Sequence, residues 1–273
     1  MRLKSLSIRN FRSYGEQVRI PFDDFTAIIG KNDVGKSTIL EALDIFFNSD
    51  SIKVDQSDPC VHSDNQVVEI CCIFDCLPDA LTIDERSPTT LVQECLLNAD
   101  GDLEILKCFD CKTKTPKEQV FAHANHPTDR QLADLILLKN ADLKARASAV
   151  GAELADVDQR SNVALRNAIR ATVPEPTNAM SLISLSEEDG KKVWDQLQRE
   201  LPIFALFQAD RPSKDDDPEV ADPMKVAVAA AVKEVEADLE AIKQKVHNSV
   251  MEVAKRTLAK LREMAPELSN ELT

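Results

Sequence analysis

The sequence is poor in glycine, in aromatic residues and in long apolar runs. Six of its 273 residues are glycine and 4% are aromatic. Because glycine supplies the backbone angles of many tight turns, this scarcity argues against a β fold with many turns and favours long helices. No stretch approaches the roughly 18 consecutive apolar residues of a membrane span. The N-terminus, MRLKSLSIRNF, alternates charged and apolar residues, so it does not predict a secretory signal peptide.

Positive charge is also scarce. The chain has 33 lysines and arginines against 47 aspartates and glutamates, a formal net charge of -14. Because duplex DNA carries about one negative charge per 1.7 Å, a surface of this sign repels DNA unless its basic residues are segregated, which excludes a general nucleic-acid coat. The seven cysteines, an odd number, do not predict a disulfide framework. They favour a reducing cytoplasm in which thiols are small buried hydrophobes.

Periodicity predicts a strand, loop and helix unit at the N-terminus. Residues 2–10 nearly alternate, residues 17–21 suggest a second short strand, and residues 25–29 form a wholly apolar third strand. A helix is predicted over residues 36–48, where apolar side chains recur at spacings of three and four. Strand, glycine-containing turn and helix is the order that a phosphate-binding unit needs.

An antiparallel sheet is predicted to follow a polar loop at residues 49–66. Its strands are expected in four apolar runs, at 67–74, 90–97, 103–109 and 119–122. Asp100 and Gly101 predict a hairpin between the second and third of these runs. Residues 1–127 are therefore predicted to form one domain, a phosphate-binding core with an attached antiparallel sheet.

The rest of the chain is predicted to be mostly helical. Residues 128–173 have a helical pattern, residues 186–200 form a further helix, and the apolar residues 202–208 form a buried strand. These elements make up a second predicted domain, 128–210. A third domain, 211–273, is predicted to contain an acidic loop and then a long helical segment over residues 223–265.

A narrow apolar seam runs along the predicted helix 223–265. Its members step by four and three residues: Val228, Val232, Val235, Leu239, Ile242 and Val246. This spacing suits a partner helix, either within the same arm or in a second subunit. We expect a homodimer or higher oligomer through this segment, and packing on the domain's own core is the alternative.

Residues 30–37 read Gly-Lys-Asn-Asp-Val-Gly-Lys-Ser and match the pattern G-x-x-x-x-G-K-[ST] in full. Gly30 and Gly35 permit the backbone angles that direct successive N–H groups onto phosphate oxygens. Lys36 is expected to reach the β- and γ-phosphates, and Ser37 to hold Mg²⁺. The dipole of the following helix favours the same anion. The sequence therefore predicts a site for ATP and Mg²⁺.

Two segments resemble the N-terminal half of an ABC-type ATPase head, which SMC, RecF and OLD (overcoming lysogenization defect) proteins share. They are Leu-Ser-Ile-Arg-Asn-Phe-Arg-Ser-Tyr at 6–14 and Ile-Ile-Gly-Lys-Asn-Asp-Val-Gly-Lys-Ser-Thr-Ile-Leu-Glu-Ala-Leu at 28–43. The pair Asn32 and Asp33 is similar to what OLD-family ATPases carry. The resemblance covers roughly the first 48 residues. It implies an α/β fold: a partial P-loop ATPase head with an antiparallel β subdomain and a long helical C-terminal segment.

The resemblance also implies the residues of the site. The phosphates and Mg²⁺ would be lined by Gly30, Lys31, Asn32, Asp33, Val34, Gly35, Lys36, Ser37 and Thr38. Arg12 would lie near the nucleotide, and a solvated strand arginine is the alternative. Gln208 ends an apolar run and is a candidate sensor of Mg²⁺ and the attacking water on its position alone.

Two motifs of such heads are not matched. The sequence Leu-Ser-Glu-Glu-Asp-Gly at 185–190 imitates a signature loop, but no apolar strand ending in adjacent acids follows it at the usual distance, so we interpret it as a helix cap. Asp210 is an alternative Mg²⁺ ligand at the end of the run 204–207, which lacks a following glutamate. The simplest interpretation is that the chain is the N-terminal part of a longer protein, with little or no ATP hydrolysis of its own.

Cysteine and histidine offer a second candidate site. Cys72, Cys76, Cys108 and Cys111 would form a four-thiolate zinc site if their strands paired in the right register, but their apolar surroundings favour buried thiols. His123 and His126 are interpreted as solvated loop residues.

The resemblance implies a cytoplasmic ATP-binding head that gates a DNA-directed activity. In the OLD family that activity is a nuclease, which a missing C-terminal region would supply, and the expected setting is phage defence with a partner defence protein. A RecF- or SMC-type repair or chromosome ATPase is one alternative. A non-catalytic scaffold, gated by nucleotide and assembling partner proteins, is the alternative from another class.

Overall fold

The computed structural model describes residues 1–31, 35–47, 52–79, 81–84 and 87–206. They belong to one compact unit, Met1–Leu206, and a second unit, Phe207–Thr273, lies outside the described residues. The predicted helix 223–265, its apolar seam, Gln208 and Asp210 therefore lie outside the described residues as well. The domain boundaries after residues 127 and 210 stay predictions.

A six-stranded antiparallel sheet organises the described unit. Its strand order is β2-β1-β3-β6-β7-β8, and β4 and β5 form a separate antiparallel pair. The strands are β1 (Arg2–Arg9), β2 (Val18–Pro21), β3 (Val67–Asp75), β4 (Leu81–Asp84), β5 (Ser87–Thr89), β6 (Leu103–Asp110), β7 (Lys117–Pro127) and β8 (Asn178–Ser184). The fold is therefore α/β, with one large antiparallel sheet and a few helices.

Two helices cover one face of this sheet, which we call the inner face. They are α1 (Lys36–Phe47) and α4 (Glu188–Glu200). Alternate residues of β6 are buried against them, as expected for a strand with one covered face. Lys107, 1% exposed, lies on this face, with its ammonium 5.5 Å from the ring centre of Phe46 in α1 and 5.6 Å from that of Trp194 in α4.

A second, smaller apolar cluster surrounds α2 (Asn140–Ala149) and α3 (Asn162–Arg170), together with the short 3₁₀ turn Leu135–Leu137. A buried ion cluster ties α3 to the segment before β6. Glu94 accepts two hydrogen bonds from Arg166, at 2.9 and 2.8 Å, and one from Arg170 at 2.9 Å. Glu94 is fully buried, Arg166 is 3% exposed and the Arg170 side chain is 17% exposed, so this cluster is largely closed to solvent.

Most of the predicted elements are present. The strands predicted at 2–10, 17–21, 67–74 and 103–109 correspond to β1, β2, β3 and β6, and the run 119–122 lies within the longer β7. The helix predicted over 36–48 is α1, which ends at Phe47, and the helix predicted over 186–200 is α4. The helical stretch 128–173 contains α2, α3 and the 3₁₀ turn, with loops between them.

Two predicted apolar strands are wrong. Residues 25–29 form no strand, and Phe25 and Ile29 are 87% and 93% exposed. β1 is paired with β2 on one side and β3 on the other, so no edge of β1 is left for this run. Residues 202–206 also form no strand: Ile203 is 45% exposed, although the ring of Phe204 stacks on Phe47 at 5.5 Å.

The predicted strand at 90–97 is wrong as well, and so is its hairpin with β6. The backbone N–H of Glu94 donates to the carbonyl of Thr90, and that of Leu96 to Leu91, both at 3.0 Å. These local bonds replace a strand ladder. The turn at Gly101 is present, with φ at +81°, but β6 pairs with β3 and β7 instead. The strand β8 was not predicted from the sequence. Most of its residues are exposed at the sheet edge, so it has no apolar run.

Candidate functional site

The segment 30–38 leads into the first turn of α1, and its residues Asn32, Asp33 and Val34 lie outside the described residues. Gly35 has φ at +90°, a left-handed conformation that favours glycine. α1 begins directly afterwards at Lys36, where the side chain of Ser37 is exposed and that of Thr38 is buried. A glycine in this conformation followed by a helix start is the local geometry that the motif predicted.

The ammonium of Lys36 spans the loop. Its Nζ donates to the carbonyl oxygen of Gly30 at 2.9 Å and to that of Lys31 at 2.5 Å. The side chain therefore holds the start of the loop against the start of α1. A helix N-terminus carries a partial positive charge and free backbone N–H groups, and the ammonium adds a full charge beside them. The arrangement can attract and hold an anion.

A tight turn at residues 10–15 lies against the loop. Phe11 and Tyr14 exchange two backbone hydrogen bonds, both at 2.9 Å, and the hydroxyl of Tyr14 donates to the carbonyl of Gly35 at 3.2 Å. A Cβ atom added to Gly35 would lie 2.5 Å from the Oγ of Ser13. Gly35 is therefore required for space as well as for its φ angle.

Arg12, at the centre of this turn, is paired with two carboxylates. Its Nε donates to Asp58 Oδ1 at 2.9 Å, and its Nη1 forms an ion pair with Glu41 of α1. Glu41 and Ser37 are four residues apart, which places them on one face of the helix, about 5–6 Å apart at Cβ. The guanidinium therefore contacts α1 one turn after Ser37. The alternative of a solvated strand arginine is wrong, because β1 ends at Arg9 and both partners are partly buried.

The turn is fixed to the loop that precedes β3 by Asn10. Its Nδ2 donates to the carbonyls of Asn65 and Val67 at 2.7 and 2.8 Å, and its Oδ1 accepts from the backbone N–H of Cys60 at 3.1 Å. Both amide hydrogens and the oxygen of the side chain are thus used. Asn10 is 2% exposed and has φ at +54°.

Sequence reasoning missed three of these neighbours, namely Tyr14, Glu41 and Asp58, as parts of the site. Tyr14 and Glu41 fall in the two segments that resemble ATPase heads, but their contacts depend on how the turn meets α1. The position of Glu41 four residues after Ser37 is the local signal that was available.

The segment 185–190 stands at the start of α4, but its interpretation as a helix cap is wrong, because the N-cap residue Glu187 makes no side-chain capping hydrogen bond. Its serine has another role. The Ser186 hydroxyl accepts a hydrogen bond from the backbone N–H of Val120 in β7 at 2.6 Å. The segment thus joins α4 to the sheet.

The cysteines do not converge. Cys72 pairs across the ladder with Ile105, whereas Cys108 pairs with Glu69, so the two thiols lie on opposite faces of the sheet. Burial raises the pKa of Cys72 well above its ordinary value, in keeping with an inert buried thiol. Cys60, Cys71 and Cys111 are buried too, whereas Cys76 is exposed. Among the described residues, no group of three or more His, Cys, Asp or Glu side chains has the geometry of a metal site.

His123 and His126 do not lie in a loop, contrary to the prediction. Both lie on β7, and His126 is 3% exposed. Burial lowers the pKa of His126. His123 Nδ1 lies 2.9 Å from Glu104 on the outer face of the sheet, beside a cavity of about 230 Å³ that Cys71 and Leu182 also line.

Comparison with known proteins shows both a family and a partial similarity to a single protein. The model of a family described as the AAA ATPase domain matches residues 1–273. A segment of 43 residues is 51% identical to structural maintenance of chromosomes protein 1 of Schizosaccharomyces pombe, and it covers 15% of this chain and 4% of that protein. No helix in the part of the chain that the structure describes is long and apolar enough to span a membrane.

Proposed function

This chain belongs to the AAA ATPase domain family, and from that premise we propose that it binds ATP with Mg²⁺ through residues 30–38. The observation that carries the proposal is the position of Lys36: its ammonium lies at the N-terminus of α1, 2.9 Å from the Gly30 carbonyl across the loop. Gly35, Lys36 and Thr38 would supply backbone N–H groups to the phosphates, and the exposed hydroxyl of Ser37 would hold the metal. Arg12, beside α1, would add positive charge.

Lys36→Ala tests this proposal. We expect the affinity of the chain for Mg-ATP, measured by calorimetry, to fall about tenfold or more, because the variant loses a charged hydrogen bond to phosphate. Lys114→Ala removes the same charge from an exposed position beyond the end of β6 and should leave the affinity unchanged. Equal affinity in the parent and in Lys36→Ala would refute the proposal.

We further propose that the nucleotide state of this head gates a DNA-directed activity. The resemblance of residues 28–43 to OLD-family ATPases supports a nuclease supplied by another region of the protein, with phage defence and a partner defence protein as its setting. The 43-residue match to a structural maintenance of chromosomes protein favours a second candidate, a chromosome or repair ATPase of the SMC or RecF type. A scaffold gated by nucleotide without turnover is the third. Sequence beyond Thr273 that contains a nuclease carboxylate set would decide among them.

Self-association through residues 223–265 is also a proposal, supported by the heptad spacing of its apolar residues. Light scattering on the full chain gives the mass that tests it.

The seven cysteines are all free thiols, which supports a proposed location in a reducing compartment such as the cytoplasm.

A further inference from the structure

We infer that the hydroxyl of Tyr14 is a positioning group for the phosphate-binding loop, because it holds the peptide that presents the backbone N–H of Lys36 to phosphate. The inference rests on the proposed ATP site. A trans peptide is planar, and its carbonyl and N–H point in opposite directions. A donor that fixes the Gly35 carbonyl therefore also fixes the direction of the Lys36 N–H, which is one of the free N–H groups at the start of α1.

The Gly35 carbonyl is held from two directions. It accepts the Tyr14 hydroxyl at 3.2 Å and the backbone N–H of Ile39 at 3.3 Å. The bond from Ile39 is the first hydrogen bond of α1 along the chain. Helix ends fray more easily than the middle of a helix. Without the hydroxyl, this long helical bond alone would orient the peptide.

Tyr14 acts from a rigid support. Phe11, at the start of the same turn, is fully buried, and Asn10 uses its whole amide group to bind the loop before β3. The tyrosine ring also touches the loop, since a Cβ atom on Gly35 would lie 3.0 Å from Tyr14 Cε2. Rigid supporting groups of this kind hold a binding site in its productive geometry before the ligand arrives. Partial burial raises the pKa of Tyr14, so the hydroxyl remains a donor at neutral pH.

Tyr14→Phe in the full chain tests the inference, because it removes the hydroxyl and keeps the ring. We expect the affinity for Mg-ATPγS to fall about three- to tenfold, the effect of one lost hydrogen bond. The matched control is Ser186→Ala, which removes a hydroxyl bonded to the backbone of β7, far along the chain from the loop. It should lower the thermal midpoint and leave the nucleotide affinity unchanged.

A spectroscopic readout separates positioning from general stability. Tyr14 is the single tyrosine of the chain, so labelling with 3-fluorotyrosine gives one ¹⁹F resonance. We expect this resonance to shift when Mg-ATPγS saturates the parent, and Lys36→Ala to need about tenfold more nucleotide or more for the same shift.

The outcomes are distinguishable. If the parent does not bind Mg-ATPγS, the proposed function fails and this inference fails with it. If the parent binds, Lys36→Ala weakens binding and Tyr14→Phe binds like the parent, the inference alone is overturned. It is also overturned if Ser186→Ala loses as much affinity as Tyr14→Phe, or if the ¹⁹F resonance of the saturated parent does not move.

Discussion

Two of the three-charge clusters in the described unit differ in how far water reaches them. In the first, a carboxylate, Glu94, stands between two arginines of α3. In the second, an arginine, Arg12, stands between two carboxylates, Asp58 and Glu41. Glu94 is fully buried, whereas a third of the Arg12 side chain is exposed.

The difference indicates different roles. A closed cluster contributes to the fold only while all its members are present, since a buried charge without a partner is costly. A cluster with partly exposed members costs less to disrupt, because water reaches the groups that remain. We therefore expect the Glu94 cluster to govern stability and the Arg12 cluster to govern the surroundings of the nucleotide site.

The largest expected effect is that of Glu94→Ala. The variant leaves the buried Arg166 without its bidentate partner, and we expect the free energy of unfolding to fall by about 3–5 kcal/mol. Urea denaturation followed by circular dichroism measures it. Glu153→Ala, which removes an exposed carboxylate from the loop after α2, should change stability by less than about 0.5 kcal/mol. Similar small losses in both variants would show that the closed cluster does not govern stability.

A change of pH is expected to have a smaller effect on the free energy of unfolding, through the protonation of Glu94. Burial alone would raise the pKa of Glu94, but Arg166 and Arg170 overcome it and hold the pKa below the ordinary glutamate value of 4.5. The carboxylate therefore stabilises the fold above pH 4.5, and this contribution is lost as the pH falls through the lowered pKa of the folded state. We expect the stability difference between the parent and Glu94→Gln to be constant from pH 7 to about pH 6 and to shrink in acid. A difference that grows in acid would contradict this sign.

The sequence predicted what depends on local spacing. The glycine turn at Gly35, the start of α1 at Lys36 and the strand β6 depend on consecutive residues, and all three are present. The strands predicted at 25–29 and 90–97 are absent, because an apolar composition does not reveal whether a neighbouring strand is available for pairing. In the first case both edges of β1 were taken, and in the second the backbone bonded to itself.

The same limit applies to the site. Lys36 and Ser37 follow from the motif, but the bond from Tyr14 to Gly35 joins residues 21 apart, and that from Arg12 to Asp58 joins residues 46 apart. Such pairs depend on how the turn at 10–15 meets α1 and the loop before β3. No periodicity in a single sequence encodes that meeting.

Of the two clusters, the Arg12 cluster is expected to give the smaller change in stability, and Arg12→Ala is the sharpest test of the comparison. Asp58 keeps a hydrogen bond from the backbone N–H of Asp55 at 2.7 Å, and Glu41 is a quarter exposed. We therefore expect the free energy of unfolding to fall by only about 1 kcal/mol. Affinity for Mg-ATPγS should fall more than stability does, because the variant removes a positive charge that contacts α1 one turn after Ser37, and leaves two carboxylates that repel phosphate. Calorimetry and urea denaturation on the same preparation give both numbers. A stability loss as large as that of Glu94→Ala would make the two clusters equivalent, and an unchanged affinity would remove Arg12 from the proposed site.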